Sequence, residues 1–288
     1  TPTVEMVVVK EKAAGGIILT ASHNPKQWNA LKLLNAEGEF ISAEQGAAII
    51  DKVKSSNFEY NEIDSIGSYE LMEGTIDWHI DEIIKLSMVD VEAISKRNFT
   101  IAVDAVNSTG GIAVPALLRK LGVQNVIEIY CEPTGKFPHN PEPLPEHLND
   151  LSDTVLKNNA DLGITVDPDV DRLAFVSENG DMFGEEYTLV AVADYVLSQK
   201  KGNTVSNLSS TRALKVITEK HGASYAASAV GEVNVVKMMK ETDAVIGGEG
   251  NGGIILPELH YGRDALVGIA LFLSHLAKCG KPMSHLKA

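Results

Sequence analysis

Short apolar runs punctuate the chain at Gly16–Thr20, Thr100–Val103, Val126–Tyr130, Leu162–Val166, Thr204–Asn207 and Ala244–Ile246. Runs of this length, bounded by polar residues and glycine, predict buried strands. Between many of them the apolar positions take up a helical period. Ile76, Ile80, Ile83 and Ile84 share one face of a helix predicted to begin near Thr75. Leu189, Val192, Ala193 and Val196 mark another, and Leu266, Ile269, Ala270 and Leu273 a third. Ser42 and Gln45 form a capping box ahead of Ile49, Ile50 and Val53, the serine taking an orphan amide while the glutamine reaches back. Gly122 and Gly222 follow helical stretches and suit the left-handed position that ends a helix.

Strand–helix alternation predicts an α/β fold with mostly parallel sheets. Phe99–Tyr130 and Asn203–Ala227 look alike, each reading strand, Ser/Thr-bearing turn, helix, glycine, strand. The polar stretch Asn57–Gly74 divides an early segment from the next, and a second boundary is expected near Gly184. The chain of 288 residues accommodates about two domains and part of a third. No apolar run reaches the ~18 residues of a spanning helix, and the start carries no secretory leader pattern. Lys and Arg number 25 against 39 Asp and Glu, a formal charge of −14. Such a surface repels nucleic acid and anionic lipid and attracts cations. Neither nucleic acid nor a membrane is therefore expected as a partner. Two cysteines, Cys131 and Cys279, make no disulfide framework, so a reducing cytoplasm is expected.

Three segments carry candidate chemistry. Thr20-Ala21-Ser22-His23-Asn24-Pro25 follows the first apolar run, and strand ends opening into polar loops are where α/β sheets place ligand sites. Ser22 is a candidate nucleophile and His23 a neighbouring donor or base; taken alone, the six residues also read as an Asn-Pro turn with a chance Ser-His pair. Asp167-Pro168-Asp169-Val170-Asp171-Arg172 spaces three carboxylates at alternate positions. Such a loop can converge on one hard cation, and it lacks the rest of an EF-hand pattern, so Mg²⁺ is the expected ion. Arg172 can pair with a phosphate oxygen. Gly247-Gly248-Glu249-Gly250-Asn251-Gly252-Gly253 allows close backbone approach to a ligand, with Glu249 and Asn251 able to reach sugar hydroxyls. By itself it also reads as a hairpin turn. It is neither a Walker loop nor a dinucleotide fingerprint.

In this order the three segments resemble those of the α-D-phosphohexomutase superfamily, whose members move a phosphate between O6 and O1 of a hexose phosphate. The resemblance implies consecutive α/β/α domains with mixed, mostly parallel sheets: the C-terminal part of domain I over 1–72, domain II over 73–184 and domain III over 185–288. Domain IV is expected to be absent, so the chain reads as a fragment. Ser22 would carry the phosphoryl group, and Asp167, Asp169 and Asp171 would hold Mg²⁺ together with the phosphoserine oxygen. Lys32 matches a lysine implicated in proton transfer, and His23 and Arg172 would steady the transferring phosphate. Glu249, Asn251 and Gly231, the last within Val230-Gly231-Glu232, would contact the sugar. A sugar phosphate is the implied substrate and a hexose bisphosphate the implied intermediate and activator. Departures from the family pattern are Pro168 where glycine is usual, Asn251 where many members carry serine, and Gly253 where many carry histidine.

Phosphoglucosamine mutase is the first reading of the activity and phosphomannomutase/phosphoglucomutase the alternative. Thr20-Ala21 leans toward the latter, Phe137–Pro143 toward the former. A non-catalytic module binding Mg²⁺ and sugar phosphate competes from another class; a serine hydrolase lacks its Gly-x-Ser-x-Gly elbow around Ser22. Other residues have structural readings. Phe137–Pro143 is a rigid connector, Asp104–Gly111 a strand–helix turn, and His79 a surface or packing residue. Gly262-Arg263-Asp264 caps the last helix. Oligomeric state is not legible in the sequence.

Overall fold

A computed structural model describes residues 1–287. In chain order, α1 (Pro2–Lys10) is followed by β1 (Gly16–Leu19), β2 (Leu31–Leu34) and α2 (Ala43–Ser55). Then come α3 (Thr75–Lys85), α4 (Val91–Arg97), β3 (Thr100–Asp104), α5 (Gly110–Lys120), β4 (Asn125–Ile129), α6 (Asn149–Asn158), β5 (Leu162–Val166) and β6 (Leu173–Ser177). Last are α7 (Glu185–Gln199), β7 (Asn203–Asn207), α8 (Ala213–Lys220), β8 (Tyr225–Ser228), α9 (Glu232–Glu241), β9 (Ala244–Gly248), β10 (Ile254–Ile255) and α10 (Ala265–Cys279).

The strands form three sheets: an antiparallel β1–β2 hairpin, a sheet in the order β4-β3-β5-β6, and another in the order β10-β9-β7-β8. In each larger sheet three strands run parallel and one edge strand, β6 or β10, runs antiparallel. Each of the six apolar runs coincides with a strand; β5 and β6, covered by helices, are buried at every position, whereas β1 and β4 are partly exposed. The capping box forms as expected, Gln45 N–H donating to Ser42 Oγ and Ser42 N–H to Gln45 Oε1. Gly122 and Gly222 both take positive φ, +85° and +68°. Behind the capping box stand Ile49, Ile50 and Val53. All three are exposed and α2 buries no residue, since among the described residues no layer packs on that face of the helix.

α10 is apolar on nearly every side, which suits a helix enclosed by other elements. It packs against α7, α3, α4, α5 and β6, so the two larger sheets share one core. Phe272 stacks on Phe175 with ring centroids 4.1 Å apart and meets Phe183 edge-on at 5.5 Å. Phe272→Ala is expected to cost about 3–5 kcal/mol in chemical denaturation. A loss no larger than that of a surface substitution, about 0.5 kcal/mol, would show that the sheets do not depend on this contact.

The Phe137–Pro143 segment is tied back to β3: His139 Nε2 lies 3.0 Å from Asp104 Oδ2, and its ring stands edge-on to Tyr130. Burial opposes charge on His139, but Asp104, then the Asn140 carbonyl and, more weakly, Asp150 outweigh it and raise the imidazole's pKa. Stability from this pair is therefore complete below about pH 6.5, the unfolded value, and is lost as pH rises through the higher folded value. An NMR titration of the His139 ring should show a midpoint above that of exposed histidines. His139→Gln should flatten the matching part of the stability–pH curve.

Candidate functional site

The Asp167–Arg172 loop joins antiparallel β5 and β6 at the edge of the second sheet. Its backbone is held on several sides. The Ser108 and Thr109 hydroxyls both donate to the Pro168 carbonyl. The Val170 carbonyl accepts from Ala265 N–H at 3.2 Å. Val170 itself sits at φ +64°, a strained position for a β-branched residue. Asp171 and Arg172 N–H groups both donate to Asp167 Oδ1 at 3.1 Å.

These constraints turn three buried carboxylates together. One oxygen each from Asp167, Asp169 and Asp171 lies within 4.8 Å of the others, and Asp169 Oδ1 and Asp171 Oδ1 have no hydrogen-bond partner. Burial, then the Asp171 and Asp169 charges, push the Asp167 carboxyl well above its usual range. Orphaned oxygens, hard donors and excess negative charge fit a small divalent cation. Asp167, Asp169 and Asp171 are the residues that would hold it.

The serine loop meets this cluster from the hairpin. Ser22 has φ +52°, steadied by its N–H donating to Thr20 Oγ1 at 2.9 Å. Its hydroxyl donates to Asp167 Oδ2 at 3.2 Å and lies 3.3 Å from His23 Nδ1. Lys32 stands on β2 opposite Ile18. Its ammonium bridges Asp169 Oδ2 at 2.6 Å and Asp171 Oδ2 at 2.8 Å. Burial opposes that charge, but Asp171 and Asp169 prevail and hold Lys32 firmly protonated.

Glu142 is a site residue that the sequence reading missed. The Phe137–Pro143 segment does more than connect: Glu142 Oε1 lies 3.2 Å from Arg172 Nη1 and 3.7 Å from His23 Nε2. Burial and then the Arg172 charge lower the His23 pKa. The available signal was a carboxylate locked between Pro141 and Pro143.

Glycine-rich residues 249–253 form the turn between β9 and β10. Gly252 cannot carry a side chain here, since a Cβ would fall 2.0 Å from the Leu173 carbonyl oxygen, and its φ is +84°. The turn is thus seated against the start of β6, next to Arg172. Glu249 Oε1 accepts from Asn207 Nδ2 at 2.8 Å and from Gly231 N–H at 3.2 Å. Asn251 Nδ2 reaches Glu249 Oε2 at 3.4 Å, while its Oδ1 accepts from Gly253 N–H.

The cap expected from Gly262-Arg263-Asp264 forms through Asp264. Asp264 alone caps α10, accepting from Leu266 and Val267 N–H. Arg263 instead turns inward, 2.9 Å from Asp171, 2.7 Å from Glu232 and 2.9 Å from Glu249. One guanidinium therefore joins the carboxylate loop, the start of α9 and the glycine-rich turn. His79, read as a surface or packing residue, is a fully buried partner of Asp264.

Fold and site define an α/β protein whose sheet-end loops set a serine hydroxyl and cationic side chains around a carboxylate cluster. Models of the phosphoglucomutase/phosphomannomutase family match in order: α/β/α domain I over residues 1–60, domain II over 77–180 and domain III over 184–288. The chain belongs to this family, within the α-D-phosphohexomutase superfamily. A Thermococcus kodakarensis phosphoglucomutase/phosphomannomutase is 35% identical over 99% of this chain and 62% of its own length. A Methanopyrus kandleri protein named "Probable phosphoglucosamine mutase" is 33% identical over 100% of this chain and 63% of its own length. The chain thus spans less than two thirds of these relatives. A solved phosphoglucomutase/phosphomannomutase family structure from Burkholderia thailandensis superposes with a TM-score of 0.83 at 27% identity, covering 94% of this chain and 57% of that one.

Removing the Arg263 cation would leave Asp171, Glu232 and Glu249 buried without it. Arg263→Met is expected to cost about 3–5 kcal/mol in thermal or chemical denaturation, and Arg263→Lys less. Equal, small losses in both would mean that the three carboxylates do not need this charge.

Proposed function

We propose that this chain is the phosphoryl-transfer portion of a phosphohexomutase, which interconverts hexose 6-phosphate and hexose 1-phosphate through a phosphoserine at Ser22. The observation that carries the reading is the hydrogen bond from Ser22 Oγ to Asp167 Oδ2. It supports the reading because the hydroxyl that would act as nucleophile lies against carboxylates that could hold Mg²⁺. Family membership and the names of the relatives support the reaction class.

In this reading a sugar hydroxyl attacks the phosphorus carried by Ser22. The new sugar O–P bond forms as the Ser22 O–P bond breaks. Lys32 gives its proton to the departing Ser22 oxygen, and the proton leaving the sugar hydroxyl replaces it on Nζ. The resulting hexose bisphosphate reverses its orientation, and Ser22 attacks the other phosphate by the same steps in reverse. Arg172 and His23 hold the transferring phosphate, Arg172 by paired N–H donors. Glu249, Asn251 and the Gly231 backbone hold the sugar in either orientation. Bound Mg²⁺ supplies compensation for the charge that develops on the transferring phosphoryl oxygens.

Incubation with a hexose 1,6-bisphosphate and Mg²⁺ should add one phosphoryl group to Ser22, read by intact mass and peptide mapping, and hexose monophosphate should then remove it. Ser22→Ala should abolish both steps; undiminished turnover in that variant would sink the mechanism. Asp169→Asn should lower the transfer rate at least ~10²-fold while calorimetric sugar-phosphate affinity changes little; equal losses in both would assign the ion a structural role. Chelation of Mg²⁺ should stop transfer reversibly. A panel of glucose, mannose and glucosamine 1- and 6-phosphates decides between the activities that the relatives' names carry.

A further inference from the structure

His79, His260 and Asp264 form a second cluster of metal-ligand type. His79 comes from α3, His260 from the segment between β10 and α10, and Asp264 from the α10 N-cap. His79 Nε2 lies 2.9 Å and His260 Nε2 3.3 Å from Asp264 Oδ2, and the three ligand atoms all fall within 4.8 Å of one another. Ligands about 2.0–2.1 Å from a tetrahedral Zn²⁺ stand about 3.3 Å apart, so these spacings need only small shifts to close on an ion. Asp264 Oδ1 is fixed by the two amides of the α10 cap, which aims Oδ2 at both rings.

The far nitrogens of the rings are also placed. His79 Nδ1 is 3.0 Å from Thr3 Oγ1, and His260 Nδ1 is 3.4 Å from Glu5 Oε2. Oxygen partners on the outer nitrogen are what orient a metal-binding imidazole. Proton placement differs between a metal site and a plain hydrogen-bond network, in which Glu5, its carboxyl pushed well above the usual range by burial, would have to supply a proton to His260 Nδ1. If both rings are neutral and donate from Nε2 to Asp264, His260 Nδ1 turns a bare lone pair toward the Glu5 carboxylate. Glu5 is 1% exposed, and neither of its side-chain oxygens nor His260 Nδ1 has a hydrogen-bond partner. With a divalent cation on the two Nε2 lone pairs and Oδ2, both rings carry hydrogen on Nδ1, facing Thr3 and Glu5. The carboxylates of Glu5 and Asp264 then balance the ion's two charges.

We propose that His79, His260 and Asp264 bind a zinc-like divalent transition metal, oriented from behind by Thr3 and Glu5. Two imidazoles and one carboxylate suit Zn²⁺ far better than Mg²⁺. A cavity of about 640 Å³ lined in part by Met6, Trp78 and His260 lies on the His260 side of the cluster. The ligands and their outer partners come from α1, α3 and the α10 entry, one element from each of the three matched family segments. The ion therefore ties the three together, away from the serine and the Asp167–Arg172 loop.

Cobalt is the probe, because four-coordinate Co²⁺ absorbs visible light strongly and octahedral Co²⁺ weakly. Titrating the chelator-treated protein with Co²⁺ should develop the intense visible band at one equivalent, and Zn²⁺ should displace it and raise the melting temperature. Asp169→Asn should keep the band and His260→Gln should lose it. Glu5→Gln, which leaves all three ligands in place, should weaken Co²⁺ binding about 10–100-fold; this variant reports even if His260→Gln fails to fold. No band in the unaltered protein, a band kept in His260→Gln or lost in folded Asp169→Asn, or unchanged affinity in Glu5→Gln would overturn the proposal.

Discussion

Negative charge confined to one buried turn is the constraint on which the rest depends. Asp167, Asp169 and Asp171 are almost wholly buried within five residues of chain, and buried anions are costly unless cations meet them. The protein brings those cations from opposite directions. Lys32 arrives from the β1–β2 hairpin and Arg263 from the entry to α10. Both converge on Asp171 Oδ2, so the first and third family segments are drawn onto a loop that belongs to the second. Charge compensation and domain assembly are thus one requirement.

The surrounding fold makes that turn stiff rather than merely charged. β5 and β6 are paired along their whole length and buried throughout. Pro168 fixes one backbone angle and Val170 is held at positive φ. Hydroxyls from the start of α5 and an amide from the start of α10 grip the loop carbonyls. A loop pinned this way cannot spread its carboxylates to relieve their repulsion, which preserves a preformed cation site.

Much of this was legible because burial leaves a local mark. Covered strands such as Leu162–Val166 read as continuous apolar runs, and largely buried helices such as α7 and α10 as helically spaced apolar residues. Ser22, Lys32 and the aspartates were visible as motifs. β2 was harder: Leu31-Lys32-Leu33-Leu34 is short, half-exposed and interrupted by a charge. Arg263 and Glu142 were missed for another reason. Their partners lie 92 and 30 residues away, at Asp171 and Arg172; a contact set by folding leaves no spacing to read. The apolar stripe of α2 stays exposed, since periodicity reports a face able to be buried, whereas burial needs a partner layer.

The β1–β2 hairpin carries the serine loop, yet it is only two strands wide, with Ile17, Leu19 and Leu31 exposed. Two-stranded sheets are marginally stable, whereas the Asp167–Arg172 loop is anchored in the shared core. Local opening follows the free energy of the weakest unit. Among the described residues the less supported unit is the hairpin. The side chain that would carry a phosphate is mounted on the exposed hairpin, and its partner Asp167 on a loop anchored in the buried core. The ion pairs from Lys32 to Asp169 and Asp171 are what fasten the one to the other.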